Sequence, residues 1–177
     1  MTRKRWDFSR ASSSAVMING LENPAIRMEG VVTKLEEFWS KQNIKLRPGL
    51  NPTALEKSES QLKVYFPEDL KDYFLFADGF DGEMDNEGIS FFSMQESAEE
   101  SKVWSPNLTR TASLFAFADF LISSHVYMIE LQDAANESGA VYVVYDNKPE
   151  WIRKVTNNFS DFVDGYVAND YSVLFPK

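Results

Sequence analysis

Apolar residues in this chain first recur at the spacing of an α-helix. From Met28 onward they occupy positions i, i+4, i+7 and i+8, which are Val31, Leu35, Phe38 and Trp39. Residues at these positions lie on one face of a helix, so the segment is predicted to be helical with that face buried. The helix should end before the Arg47-Pro48-Gly49 run, because proline and glycine interrupt helical backbone.

Two further helices are predicted from their start signals. One is Asn51-Pro52, a good N-cap residue followed by proline at the first helical position. The other is Pro67-Glu68-Asp69, where two acids suit the positive end of the helix dipole. This helix is predicted to stop at Asp78-Gly79, since glycine readily adopts the positive φ that ends many helices. A last amphipathic helix is predicted over residues 159–167, with Asn158 as its cap.

Between the third helix and the last one, the pattern changes to that of β-strands. Five segments are rich in aromatic and β-branched residues, namely Gly88–Met94, Ala112–Ala118, His125–Leu131, Ala140–Tyr145 and Trp151–Val155. The short links between them favour antiparallel pairing. The chain is therefore predicted to have an α+β fold, in which helices flank a mostly antiparallel sheet.

The first 27 residues differ from the rest of the chain. They hold five Arg or Lys residues and two acids, which gives +5 − 2 = +3, and they are rich in Ser and Asn without apolar periodicity. Such sequence is typical of a flexible terminal arm. Residues 1–27 are therefore predicted to form a flexible basic arm, and residues 28–177 a single α+β domain of ordinary size.

Composition narrows the kinds of function. The chain has no cysteine and a single histidine, His125, which excludes thiolate chemistry and any site that needs several imidazoles. Its net charge of −9 would repel a phosphate polymer, so direct nucleic-acid binding is disfavoured. No apolar run approaches the ~20 residues of a membrane span, and no secretion signal follows the basic start. We expect a cytoplasmic protein that uses no cofactor and binds no metal.

Two stretches resemble catalytic or metal sites but fit them poorly. Asp119, Ser123 and Ser124 lie near His125 in sequence, but a lone histidine at the head of an alternating strand is more often structural than part of a triad. The acidic loop 81–88 resembles a calcium loop, yet neither register has the glutamate that an EF-hand carries at its twelfth position. The loop is predicted to be solvated, with a weak cation site as the alternative, and we predict no catalytic activity.

A run of acids without compensating cations is the most informative feature. From Asp72 to Ser101 the chain has nine Asp or Glu residues and no Lys or Arg. This concentration of like charge predicts either an ordinary solvated face or a docking surface for a basic protein. Trp104 follows directly, either as a core residue or as an aromatic anchor of that surface. The candidate contact residues are Asp81, Glu83, Asp85, Glu87, Glu96, Glu99, Glu100 and Trp104.

An ordered set of motifs resembles the SUKH superfamily of fungal cell-wall-assembly regulators and their bacterial relatives. Its central part is Leu55-x-x-x-Glu59, then Val64-x-Phe66-Pro67-Glu-Asp-Leu70-x-x-Tyr73-Phe74, then Asp78-Gly79. A strand and an acidic helix follow at 89–94 and 95–100, and the segments 117–123, 139–143 and 160–166 resemble the later strands and closing helix of the family. Lys63 and Asp78 depart from the pattern, because glycine and asparagine are usual there.

The resemblance implies an α+β fold over roughly residues 28–170 and a role without catalysis. Bacterial members of the superfamily are largely immunity proteins, which bind and neutralise cognate toxins that are often nucleases. Fungal members act as interaction hubs in wall-stress signalling. Together with the acidic run, the resemblance implies a basic toxin domain as the partner, with a regulatory scaffold as the alternative. It assigns Glu59, Pro67 and Gly79 structural roles as a turn contact, a helix start and a helix stop.

Overall fold

A computed structural model describes residues 24–82, 84–104, 114–134, 138–146 and 148–176. The helices are α1 Pro24–Lys41, α2 Pro52–Leu62, α3 Glu68–Phe76, α4 Met94–Trp104, α5 Phe159–Val167 and α6 Tyr171–Leu174. The strands are β1 Leu46–Pro48, β2 Ala77–Phe80, β3 Ile89–Phe91, β4 Leu114–Phe120, β5 His125–Glu130, β6 Val141–Val144 and β7 Ile152–Thr156.

The strands form two sheets. β1 pairs with β2 alone, whereas the main sheet has five strands in the order β3-β4-β5-β6-β7. Every pair of neighbouring strands is antiparallel, and the links between β4, β5, β6 and β7 are short, as is usual for such pairs. Helices flank this sheet, which confirms the predicted α+β fold.

Each face of the main sheet buries a different set of side chains. The larger cluster joins the sheet to α1, α3 and α5 and includes the buried rings of Trp39, Tyr73, Phe117, Tyr127 and Phe162. The smaller cluster lies on the opposite face, because its members on β5 and β6 alternate with those of the larger cluster along each strand. The packing of large rings supplies much of the apolar burial that holds the helices on the sheet.

The sequence does not predict the small sheet of β1 and β2. α3 ends at Phe76 and the chain continues directly into β2, so the prediction that Asp78-Gly79 stops the helix is wrong. Gly79 has a positive φ of 79°, but it lies inside the strand. A Cβ at this position would lie 2.4 Å from the backbone nitrogen of Ser93, so the close approach of the two segments requires glycine.

The other predicted elements agree with the structure to within a few residues. α1 begins at Pro24 instead of near Met28, and α2 and α5 have their predicted caps at Asn51 and Asn158. The short helix α6 has no counterpart among the predicted elements. Residues 1–23 of the predicted arm lie outside the described residues.

The turn after α2 holds a lysine in a left-handed conformation. Lys63 has φ 57° and ψ 41°, values that glycine adopts without steric cost. Glu59 stabilises the same turn, because its Oε1 accepts a hydrogen bond from the Phe66 backbone N–H at 2.9 Å and lies 3.1 Å from Lys71 Nζ. The contact agrees with the turn role expected of Glu59, and Pro67 is the N-cap of α3.

His125 is a buried structural residue at the start of β5. Its ring stacks on Phe120 with the centroids 4.9 Å apart, and its Nε2 lies 3.2 Å from the Tyr127 hydroxyl. Burial lowers the pKa of His125 to about 4. Asp119 pairs with Val126 while Phe120 pairs with His125, so Asp119 and His125 lie on opposite faces of the sheet. The sheet therefore separates the histidine and the acid of the triad considered above.

Replacing Lys63 with glycine should raise the free energy of unfolding by about 0.5–1 kcal/mol. A side chain in the left-handed region costs roughly 1–2 kcal/mol, and the greater entropy of unfolded glycine offsets part of the gain. Urea denaturation followed by circular dichroism measures the change. The control is Lys57→Gly at an exposed position within α2, which should lower stability by about 1 kcal/mol. A K63G protein less stable than the wild type would contradict this account.

Stability should fall in acid because of His125. The unfolded chain binds a proton near pH 6.5 and the folded chain near pH 4, so the stabilisation present above 6.5 is lost as pH falls through this window. The loss should reach roughly 3 kcal/mol, at ~1.4 kcal/mol per pKa unit. His125→Phe preserves an aromatic ring and should flatten the profile in denaturation experiments across that window. If the variant and the wild type lose stability equally, the effect does not come from His125.

Candidate functional site

An open groove of about 730 Å³ lies beside α4. Its walls come from β1, the segment between β2 and β3, β3, α4 and the turn after β4. Among the described residues that line it are five acids and one cation, namely Asp85, Glu96, Glu99, Glu100, Asp119 and Arg47. A concave surface with charge of one sign concentrates the electrostatic field, so this groove is the candidate binding site.

Reciprocal hydrogen bonds hold the first turn of α4. The Ser93 backbone N–H donates to Glu96 Oε2 at 2.8 Å, and the Glu96 N–H donates to Ser93 Oγ at 3.2 Å, which together form a capping box. Asp78 Oδ1 accepts from the Met94 N–H at 2.6 Å. These contacts anchor the start of the helix whose following turn carries Glu99 and Glu100.

Glu96 also connects α4 to β1. Both terminal nitrogens of the Arg47 guanidinium donate to its carboxylate, at 2.9 and 3.1 Å. Burial opposes ionisation of Glu96, but the hydrogen bonds from Ser93 and Arg47 outweigh it and lower the pKa. Glu96 is half-buried and forms an ion pair with Arg47, so its main role is to position α4.

Asp85 lies at the floor of the groove as a buried acceptor. Its Oδ1 accepts from the backbone N–H groups of Glu87 and Ile89 at 2.9 and 2.8 Å, and its Oδ2 accepts from the Tyr166 hydroxyl. Tyr166 in turn accepts from Trp39 Nε1 at 2.8 Å. Burial raises the pKa of Asp85 although these hydrogen bonds oppose the rise. Asp85 is only 5% exposed, so its prediction as a surface contact is corrected to a structural role.

Asp119 is a groove residue that the sequence did not indicate as a contact. The register of β3 and β4 pairs it with Ser90, and both residues line the groove. Its Oδ2 accepts from the Ser123 backbone N–H at 2.6 Å, while burial raises the pKa of its carboxyl. Only the pairing of strands brings this residue beside the acidic segment, so spacing along the chain carries no signal for it.

Besides Glu96, α4 contributes Glu99 and Glu100 to the lining of the groove. Glu99 is exposed and Glu100 is half-buried. Trp104 donates its Nε1 to Glu100 Oε2 at 3.0 Å and packs its ring against the smaller apolar cluster. Trp104 thus supports Glu100 from one turn further along the helix.

Of the remaining predicted contacts, Asp81 and Glu87 are not among the described residues that line the groove. Asp81 is exposed, and Glu87 is half-buried and accepts a hydrogen bond from the Tyr171 hydroxyl at 3.3 Å. Glu83 lies outside the described residues. Among its described residues, the acidic segment therefore includes acids that line the groove and acids that do not.

Apolar side chains complete the groove, and the sequence did not predict them there. Phe92 is buried in the wall, Met84 is half-buried, and Ile122 on the turn after β4 is 83% exposed. What the groove offers is negative charge with apolar surface, a combination suited to a cationic ligand.

The described residues include neither a metal-binding cluster nor a membrane-spanning helix. Within the described ranges, no three His, Asp or Glu side chains are grouped as a metal site. None of the helices in these ranges is long and apolar enough to cross a bilayer.

Tyr166→Phe should lower the free energy of unfolding by about 1–3 kcal/mol. The change removes the hydroxyl that bonds both the buried Trp39 N–H and the Asp85 carboxylate. Urea unfolding measures the loss. Tyr171→Phe is the matched control, because its hydroxyl is exposed, and it should change stability by less than about 0.5 kcal/mol. Equal losses in the two variants would show that the buried network adds nothing.

The sequence was compared with models of known protein families. The model of the SMI1 / KNR4 family (SUKH-1) matches residues 49–165, which is more than half of the 177 residues. The matched span runs from before α2 into α5 and confirms the resemblance carried by the motifs. No curated protein matches the chain significantly in sequence. The chain therefore belongs to the SMI1 / KNR4 family (SUKH-1).

Proposed function

We propose that this chain is an immunity-type protein, which binds a basic toxin domain directly and neutralises it without catalysing a reaction. The observation that supports this function is the acidic groove beside α4. Its guanidinium, on Arg47, is paired with Glu96 and does not neutralise Glu99 or Glu100. A concave acidic surface attracts a cationic partner and speeds the encounter between them.

Family membership supports the class of partner. Bacterial members of the SUKH superfamily are largely immunity proteins, and many of the toxins they neutralise are nucleases. A nuclease holds phosphates on a basic surface, which is complementary to the groove. A protein bound to that surface would compete with the nucleic acid, so binding alone would be enough to block the toxin.

Glu99 and Glu100 form the centre of the proposed contact surface. Both lie on α4, whose first turn is anchored by Ser93, so they are presented on a rigid support. Asp81, Glu83 and Glu87 remain predicted contacts. Asp85 and Glu96 support the surface through their hydrogen bonds.

Reversing charge in the groove should slow association with the partner. In the double variant Glu99→Lys/Glu100→Lys, we expect the association rate to fall about tenfold or more and its dependence on salt to flatten. The matched control is Glu36→Lys/Glu37→Lys, which makes the same charge change at exposed positions of α1. Surface plasmon resonance across a salt series measures both. If the two variants slow association equally, the effect comes from the net charge of the protein and not from the groove.

The partner can be found with the same set of variants. Wild-type protein, the groove variant and the α1 variant are immobilised and exposed to lysate of the host cell at low salt, and retained proteins are identified by mass spectrometry. The proposal expects a basic toxin-like protein on the wild type and the α1 variant that is lost from the groove variant. The retained toxin-like protein, once purified, should then lose its toxic activity when the wild-type form of this chain is added. Retention of signalling or cell-wall proteins by all three would favour a regulatory scaffold instead.

A further inference from the structure

The turn between β4 and β5 has an unusual backbone. Leu121, Ile122 and Ser123 have φ values of 44°, 55° and 60°, all in the left-handed region. Glycine or asparagine adopts this region easily, whereas a β-branched residue such as isoleucine does so only with strain. Strained residues of this kind concentrate at binding and functional sites.

Hydrogen bonds and packing fix this turn. The Leu121 backbone N–H donates to the Gly88 carbonyl at 2.9 Å, and the Ser124 N–H donates to the Phe120 carbonyl at 2.9 Å. Asp119 accepts from the Ser123 N–H at 2.6 Å. Hydrogen bonds at both ends of the turn therefore hold it in the strained conformation.

The turn presents an apolar side chain to solvent at the edge of the acidic groove. Ile122 is 83% exposed, more than any other large apolar side chain that the structure describes. It lines the groove together with Met84 and Phe92, and the acids of α4 line the same groove. An isoleucine held in the left-handed region costs stability, and residues strained in this way are often found at binding sites.

We propose that the occupant of the groove is a basic segment of a partner protein with an apolar side chain between its cationic ones. The apolar side chain packs on Ile122, while the cations pair with Glu99 and Glu100. This inference rests on the proposed function and adds a binding specificity to it. The groove should bind a segment with both apolar and basic side chains more tightly than a purely basic one. Charge brings the partner in, and Ile122 is the apolar contact that discriminates between partners.

Two labelled peptides test this specificity by fluorescence anisotropy at low salt. Both alternate lysine with glycine; one has leucine at its centre and the other serine. The wild type should bind the leucine peptide about tenfold more tightly, which corresponds to partial burial of one leucine side chain. In Ile122→Asn the preference should fall to within about twofold, and in Ile122→Leu it should persist.

The choice of asparagine keeps the test clear of unfolding. Asparagine tolerates positive φ better than isoleucine, so the Ile122→Asn protein should unfold at the same or a higher temperature than the wild type. Equal affinity of the wild type for the two peptides, or a preference unchanged in Ile122→Asn, would overturn the inference alone. If neither peptide binds the wild type more tightly than it binds Glu99→Lys/Glu100→Lys, the proposed function fails as well.

Discussion

The buried carboxylate of Asp85 is the constraint on which the arrangement of the groove depends. Removing an acid from water is unfavourable unless donors surround it, and here three donors come from two parts of the chain. The backbone N–H groups of Glu87 and Ile89, at the start of β3, supply two, and the Tyr166 hydroxyl on α5 supplies the third. Because Tyr166 also accepts from Trp39, α1 joins the same network. The floor of the groove is thus positioned by the core of the domain, and the exposed acids stand on that support.

Acids from a single stretch of sequence perform different tasks in the fold. Asp78 and Glu96 cap α4, and Asp85 accepts buried hydrogen bonds, whereas Glu99 is exposed to solvent. The hydrogen bonds from Ser93 and Arg47 lower the pKa of Glu96, while burial raises that of Asp85. Charge density along the chain does not reveal this division, because it depends on which donors the fold brings to each carboxylate.

Local signals in the sequence were sufficient for elements whose ends are decided locally. Asn51 and Asn158 cap their helices as expected, since a cap is a contact between near neighbours. The β1–β2 sheet was missed because its pairing joins segments that are distant in sequence. The Asp78-Gly79 pair is compatible both with the end of a helix and with a strand packed closely against its neighbour. The Ser93–Glu96 capping box could have been read from the sequence, since Ser-x-x-Glu marks a helix start. The place of Asp119 in the groove depends on strand register, which no local pattern encodes.

The way α4 is anchored has a consequence for how specificity can change. The contacts that fasten the helix to the rest of the domain involve Ser101, whose Oγ accepts a hydrogen bond from the Ala116 N–H, and, in the first turn, the Glu96–Arg47 pair. The Glu99 side chain one turn later interacts with Gln95 of the same helix, so its replacement leaves that fastening intact. In the proposed function, Glu99 recognises the partner while other residues hold α4 in place. Under that proposal, a lineage of such proteins can change the residue at this position and meet new partners without having to rebuild the fold.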